Sequence, residues 1–233
     1  MNLRQRWLRT HGAEILDREG LNPRGRRILR DLDRWNSRIR WYQIHCRMID
    51  LHWEALGRPE PFRILDVGTG PGGLLSALAD HYAAKGIQTE LVGVDLSEDY
   101  VAMAQERLGD RAQVMQGDAT KLDMEDHRFD VATTTLMMHH LPPPVRTEMV
   151  AELGRVCRSA YIFDLEITLY GAVGWVLVAL GMRMHMDTLH DGVVSVRRGS
   201  TLQEFKELVS PLPVRVRRVF PSALCTVPGS ISG

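Results

Sequence analysis

Residues 63–73 read Arg-Ile-Leu-Asp-Val-Gly-Thr-Gly-Pro-Gly-Gly, an apolar strand that runs into a glycine-dense turn and then into a helical stretch. Glycine lets the backbone turn sharply and lets a ligand come up to the main chain with no Cβ in the way. From Phe62 onward, short apolar runs alternate with polar helical stretches, the pattern of βαβ units built on a parallel sheet. Strands are expected at about 63–67, 90–94, 112–115, 129–134 and 159–163, with helices in most of the gaps. Further on, 185–199 reads as a polar loop and about 201–210 as a short helix. Two β-prone runs, 213–219 and 222–227, are expected as an antiparallel pair at the sheet edge. The expected class is therefore α/β, a doubly wound, mostly parallel sheet ending in an antiparallel strand pair.

The first sixty residues are arginine-rich and contain no lysine, and Ile28, Leu32, Trp35, Ile39, Tyr42 and Leu56 recur near helical spacing. Residues 1–61 are accordingly expected to form an N-terminal helical lid on a core of residues 62–233. Lys+Arg and Asp+Glu balance at 29 each, so no global field draws the chain to nucleic acid. Cys46, Cys157 and Cys225 have neither the pairing nor the spacing of a disulfide framework or a zinc site. With no apolar export signal at the start, a cytoplasmic setting is expected. Residues 167–182 run sixteen positions without a charge, short of the roughly 20 needed to span a bilayer. A buried or pocket-lining helix is the expectation there, favoured over membrane association and with no stable membrane insertion; a subunit interface, and so a homodimer, is a further alternative.

Gly68, Gly70 and Gly73 satisfy the dinucleotide spacing GxGxxG, and Asp95 lies where a ribose-binding acid would fall. The glycines alone do not separate NAD from S-adenosylmethionine. Asp66, two residues before the first glycine, favours the latter, because a carboxylate there could pair with a cationic amino group or sulfonium. Gln116-Gly117-Asp118-Ala119 follows the third strand and offers an acceptor for an adenine amino group. The fourth strand, Phe129-Asp130-Val131, leads into Leu136-Met137-Met138-His139-His140-Leu141. All three lie at carboxyl ends of strands, the edge where open α/β sheets bind ligands.

ILDVGTGPGG, VGVDLS, QGDAT and FDVATTTLMMHHL resemble, in order and spacing, the motifs of class I S-adenosylmethionine-dependent methyltransferases, over about residues 62–163. The resemblance implies a Rossmann-like fold with S-adenosylmethionine as cofactor. It implies that Asp66, Gly68 and Gly70 surround the methionine part, that Asp95 holds the ribose hydroxyls, that Leu96 packs on the adenine, and that Asp118 with Ala119 reads its edge. Thr69, Gly117 and Thr135 complete the candidate cofactor set. FDLE at Asp164, LRDLDRWN and HDGVVSVRRGSTLQEF further resemble bacterial small-molecule methyltransferases associated with polyketide or phenolic-lipid pathways. That likeness would put Asp164, His190, Asp191, Arg197 and Arg198 on the acceptor side, within an insertion at about 165–198.

Methyl transfer from a sulfonium mainly needs a nucleophile aligned with the S–CH₃ bond and water excluded. A phenolic or carbon-acid acceptor also benefits from a base, and His139 and His140 end the fourth strand where the methyl is expected. Neighbouring residues at a strand exit point different ways, so one of the two is expected to act; His139 is favoured, with His140 close behind. Trp35, Tyr42, Met138 and Trp175 are expected as apolar walls of the acceptor pocket. No metal is expected: the His/Asp spacings of 185–191 invite one, but histidine is an indifferent magnesium ligand. The activity expected is O- or C-methylation of an aromatic or polyketide-type small molecule. The rivals are an NAD(P)-dependent oxidoreductase and a catalytically silent cofactor-binding protein.

Overall fold

The computed structural model describes residues 10, 12–19, 21–219 and 222–229. Seven strands form one sheet: β1 Phe62–Val67, β2 Thr89–Asp95, β3 Gln113–Gln116, β4 Phe129–Thr135, β5 Cys157–Leu165, β6 Val214–Val219 and β7 Ala223–Pro228. Their spatial order is β3-β2-β1-β4-β5-β7-β6. The first five are parallel; β7 runs antiparallel to β5, and β6 antiparallel to β7. The expected doubly wound sheet with its antiparallel edge pair is thus the observed one, with strand ends displaced by two residues at most.

β1 shows how the sequence builds two cores. Side chains alternate across a strand, so Phe62 and Ile64 join one apolar cluster while Leu65 and Val67 join the other. On the first face lie α3 (Trp41–Ala55), α4 (Gly73–Ala84) and α5 (Glu98–Leu108), which contribute Ile49, Leu75, Leu78 and Leu108. The second face is covered by α6 (Pro143–Val156) and α9 (Leu202–Val209), through Met149, Leu153 and Phe205. The three cysteines are buried and unpaired.

The N-terminal segment divides into α1 (Ile15–Glu19), α2 (Pro23–Arg38) and α3, broken after Ile39 where Arg40 takes a left-handed φ of 54°. Helix α3 packs into the sheet: His45 Nδ1 meets the Tyr161 hydroxyl at 2.6 Å and His52 Nδ1 meets Ser159 at 2.8 Å, both fully buried. Burial pushes these imidazoles down, to about 3 and about 4, so they are neutral core residues. Only α1 and α2 remain as an outer cover.

Two expectations for the region after β5 need correction. Residues 185–199 do not form a loop: α8 spans Met186–Arg198, capped by the His185 side chain, which accepts from Asp187 N. Its inward face escapes a search for apolar periodicity because it is largely polar. Asp191 accepts the N–H groups of Ile15 and Leu16 at 2.8 and 3.1 Å, Ser195 donates to Glu14 at 2.7 Å, and Thr188 donates to Asp31 at 2.8 Å. A five-residue helix such as α1 is too short to persist by itself, and here a carboxylate from another helix caps it. The second correction concerns α7 (Leu169–Gly181), which is not buried: Leu169, Val173, Leu177 and Leu180 are exposed. Among the described residues no helix is long and apolar enough to cross a membrane.

Helices α7 and α8 meet where the Trp175 indole covers Gly192, with Nε1 donating to Leu189 O at 3.2 Å. A methyl group on Gly192 would overlap that ring. Alanine normally favours a helix interior by about 1 kcal/mol, yet Gly192→Ala is expected to destabilise by about 1–3 kcal/mol through overpacking. Urea unfolding checks this, and a variant more stable than the parent would contradict the packing described.

Candidate active site

The carboxyl ends of β1 to β4 open into a cleft of about 650 Å³. Its floor is the turn after β1. Gly68 and Gly70 hold left-handed φ angles of 70° and 53°, and the Gly68 and Thr69 N–H groups donate to Val94 O at 2.8 and 3.1 Å, pinning the turn to β2. A side chain on Gly68 would strike Met137, whereas the space above Gly70 is open. The turn is thus both tight and accessible, which is what a ligand approaching main chain requires.

Asp95 closes the cleft at the end of β2. Its carboxylate accepts from Gly70 N at 2.8 Å and Ser97 N at 2.9 Å, with lone pairs left for a ligand hydroxyl. Leu96 stands beside it, 72 % exposed in the cleft wall. After β3, Asp118 accepts from the Thr120 N–H and hydroxyl at 2.8 Å each, which holds its carboxyl below the usual range. Gly68, Gly70, Asp95, Leu96, Gly117, Asp118, Ala119 and Thr135 all line this one space. Asp66 and Thr69 stand behind the turn, outside the lining, and both are buried. Burial lifts the Asp66 pKa to about 6, although Thr133 Oγ1 donates to it at 2.6 Å.

The two histidines after β4 occupy different environments. His139 is buried: its Nδ1 lies 2.6 Å from Asp164 Oδ1, its backbone N donates to Asp164 Oδ2 at 3.0 Å, and its Nε2 lies 3.6 Å from Glu14 Oε1. Burial alone would lower its pKa; the two carboxylates outweigh burial and lift it to about 9. His139 is therefore an imidazolium at neutral pH, clamped between α1 and β5 and outside the cleft lining. His140 does line the cleft, with Nδ1 2.8 Å from Asp17 Oδ1. Asp17 also takes Arg198 at 2.7 Å. Burial would raise the Asp17 pKa, but His140 and Arg198 together draw it down to about 2. The Nδ1 of His140 also comes within 3.9 Å of Glu14.

Ligand-capable atoms of Glu14, His139 and His140 lie within 4.8 Å of one another.

The expected acceptor residues scatter. Met138 is buried in the second core, Trp175 lies between α7 and α8, Tyr42 packs against Gly73, and Trp35 sits half-buried on α2. None of these lines the cleft. Asp164 is buried as the partner of His139, Asp191 caps α1, and His190 is exposed beside Asp191. Arg197 accepts Thr10 N at its carbonyl, while Arg198 donates to His140 O at 2.6 Å. Leu16, Asp17, Leu21, Tyr100, Leu141 and Val145 line the cleft instead. Leu16, Asp17 and Leu21 lie outside every motif; the one local signal was the cluster of acids Glu14, Asp17 and Glu19 around Ile15-Leu16 in an arginine-rich segment.

Residues 64–160 match the family model described as a methyltransferase domain. Among solved structures, the plantazolicin methyltransferase BpumL in complex with SAH superposes with a TM-score of 0.64 at 19 % identity, covering 84 % of this chain and 74 % of that one. The matched segment, less than half of the chain, resembles a methyltransferase domain, and the fold is that of solved methyltransferase structures. More particular likenesses are to an indolepyruvate C-methyltransferase of Streptomyces griseus, 37 % identical over 110 residues (45 % of this chain, 31 % of that protein), and to a demethylmenaquinone methyltransferase of Bacillus cytotoxicus, 31 % identical over 114 residues (43 % and 47 %). The chain thus spans less than half the length of each of these relatives.

The His139 clamp sets a pH limit. Its folded pKa of about 9 exceeds the ordinary value of 6.5, so its contribution to stability is complete below about pH 6.5 and is lost as pH rises through about 9. Docking of α1 is expected to loosen over that interval, read as faster amide exchange at residues 14–18 relative to β4. Exchange there that stays equally protected from pH 6.5 to 9.5, after correction for intrinsic rates, would contradict the charged clamp.

Proposed function

We propose that the protein transfers a methyl group from S-adenosylmethionine to a small-molecule acceptor, at the hydroxyl or an activated carbon of an aromatic or polyketide-type metabolite. One observation carries the reading: along the sheet order β3-β2-β1-β4, the cleft presents Asp118 and Ala119, then Asp95 and Leu96, then the glycine turn, then His140. That sequence of groups suits, in turn, an adenine edge, ribose hydroxyls, an amino-acid chain close to main chain, and an acceptor waiting to lose a proton. The names of the two sequence relatives, each a small-molecule methyltransferase, support the class of acceptor. The chain's balanced charge favours a small molecule over nucleic acid.

S-adenosylmethionine supplies a methyl already activated by its sulfonium. Asp95 would accept from the ribose hydroxyls, and Asp118 would accept from the adenine amino group. Asp66, ionised above about pH 6, sets a negative charge behind the glycine turn for the ligand's ammonium. His140 is the base. The Asp17 carboxylate, 2.8 Å from Nδ1, favours a proton on that side of the ring and would leave Nε2 to take the acceptor's O–H proton as the new O–C bond forms, the S–CH₃ bond breaks and S-adenosylhomocysteine leaves. His139, already protonated, takes no proton; with Asp164 and Glu14 it fixes the loop that carries His140. Leu16 and Asp17 of helix α1, with Leu21 after it, line the cleft and would keep water from the transfer.

For a phenolic acceptor, His140→Gln is expected to lower kcat by about 10²–10⁴ with little change in cofactor affinity. The deficit should shrink as pH rises and the acceptor ionises unaided. His139→Gln should instead lower the melting temperature. Parental kcat in His140→Gln across pH 6 to 9 would remove the base and leave catalysis by alignment.

A second expectation concerns Asp66. Its raised pKa means the folded chain favours the protonated carboxyl, so stability falls as pH climbs from about 4 to about 6, and the ionised group is a cost at pH 8. Asp66→Asn is therefore expected to raise the melting temperature of the ligand-free protein at pH 8 and to shrink the thermal shift given by S-adenosylhomocysteine. NAD should give no shift in either protein. An undiminished S-adenosylhomocysteine shift in the variant would place the ammonium elsewhere.

A further inference from the structure

Helix α7 shows an inverted pattern. Its inward face is Gly171 against Ser222, Trp175 over Gly192, and buried Ala179. Its outward face holds the larger aliphatics: Leu169, Val173, Leu177 and Leu180, spaced i, i+4, i+8 and i+11, are 50–66 % exposed. Tyr170 borders this row at 55 %, and Met186 at the start of α8 extends it at 65 %. A helix apolar all round belongs in a core or in lipid, and an apolar row of this size on a soluble surface marks an interaction site.

Positive charge exceeds negative around the row: Arg24 is offset by Asp187 and Arg218 by Glu166, which leaves Arg27 and Arg183 in excess. From 167 to 186 there is no Asp or Glu. At the C-terminal end stand exposed Arg183 and, reaching Asp187 and His185 on either side of Met186, Arg24 and Arg27 at 2.7 and 2.9 Å. At the N-terminal end Arg218, its side chain 58 % exposed, neutralises buried Glu166 at 2.7 Å near Tyr170. An aliphatic row with excess arginine at its C-terminal end, Arg27 and Arg183, matches the boundary layer of an anionic bilayer, acyl chains beneath and phosphates beside.

We infer that α7 is a membrane-contact face, lying flat on the surface of an anionic bilayer with Leu169, Val173, Leu177 and Leu180 in the acyl boundary and Arg27 and Arg183 among the lipid phosphates. At thirteen residues, or about 20 Å, the helix rests on the membrane and does not span its roughly 30 Å core. The attachment is reversible, because it rests on one short helix and a few charges.

The test is co-sedimentation of the full chain with vesicles of phosphatidylcholine alone and of phosphatidylcholine with phosphatidylglycerol, at low and at 0.5 M salt. The chain is expected to sediment with the phosphatidylglycerol vesicles at low salt, far less with phosphatidylcholine alone, and less at high salt. The double variant L177D/L180D should bind at least tenfold more weakly with an unchanged melting temperature, and Arg183→Ala about fivefold more weakly. Binding that ignores lipid charge, or that survives L177D/L180D, overturns the proposal. So does a chain that stays in the supernatant but runs as a dimer split by L177D/L180D, which would make α7 a subunit interface.

Discussion

A buried imidazolium joins the parts of this molecule that sequence separation keeps apart. His139 leaves the end of β4, Asp164 ends β5, and Glu14 opens α1, and the three meet with their side chains almost wholly removed from water. Isolated, each charge would be costly to bury; two carboxylates around one cation, with Ser195 donating to Glu14 and the His139 backbone donating to Asp164, leave few of their lone pairs unpaired. The consequence is positional. Once His139 is fixed, its neighbour must turn into the cleft, and α1 must lie across it. Asp191 adds a second tether by capping α1 from α8.

This arrangement divides labour between adjacent residues of identical chemistry. His139, charged and enclosed, holds geometry. His140, partly open, lines the cleft with Asp17 2.8 Å from its Nδ1. Sequence order cannot distinguish the two, since the difference lies in carboxylates contributed by Glu14, more than a hundred residues upstream, and by Asp164 on the next strand. The different surroundings of two adjacent histidines are a property of tertiary partners and not of the motif.

Much of the core was legible from residue pattern. The run from Arg63 to Gly73 combines a strand period with glycines at positions that take left-handed φ, and local chemistry of that kind reads directly. Asp95, Asp118 and the β6–β7 pair were legible for the same reason. What stayed hidden has one physical character. Helix α8 presents Thr188, Asp191 and Ser195 inward because its partner is the polar edge of the N-terminal segment, so apolar periodicity gives no signal there. In α7 the small residues face in and the large ones out, the reverse of what hydropathy suggests. The cover of the cleft, Leu16, Asp17 and Leu21, belongs to no motif because it is built by long-range contacts.

The account depends most on the direction in which the cofactor lies across β3, β2, β1 and β4. A crystal structure of the full chain with S-adenosylhomocysteine measures that direction outright. The account predicts the adenine beside Asp118 and Leu96, the ribose hydroxyls on Asp95, and the sulfur at the exit of β4 with His140 facing it across the acceptor space. An adenine seated next to His140, or a ligand held outside this cleft, would contradict it.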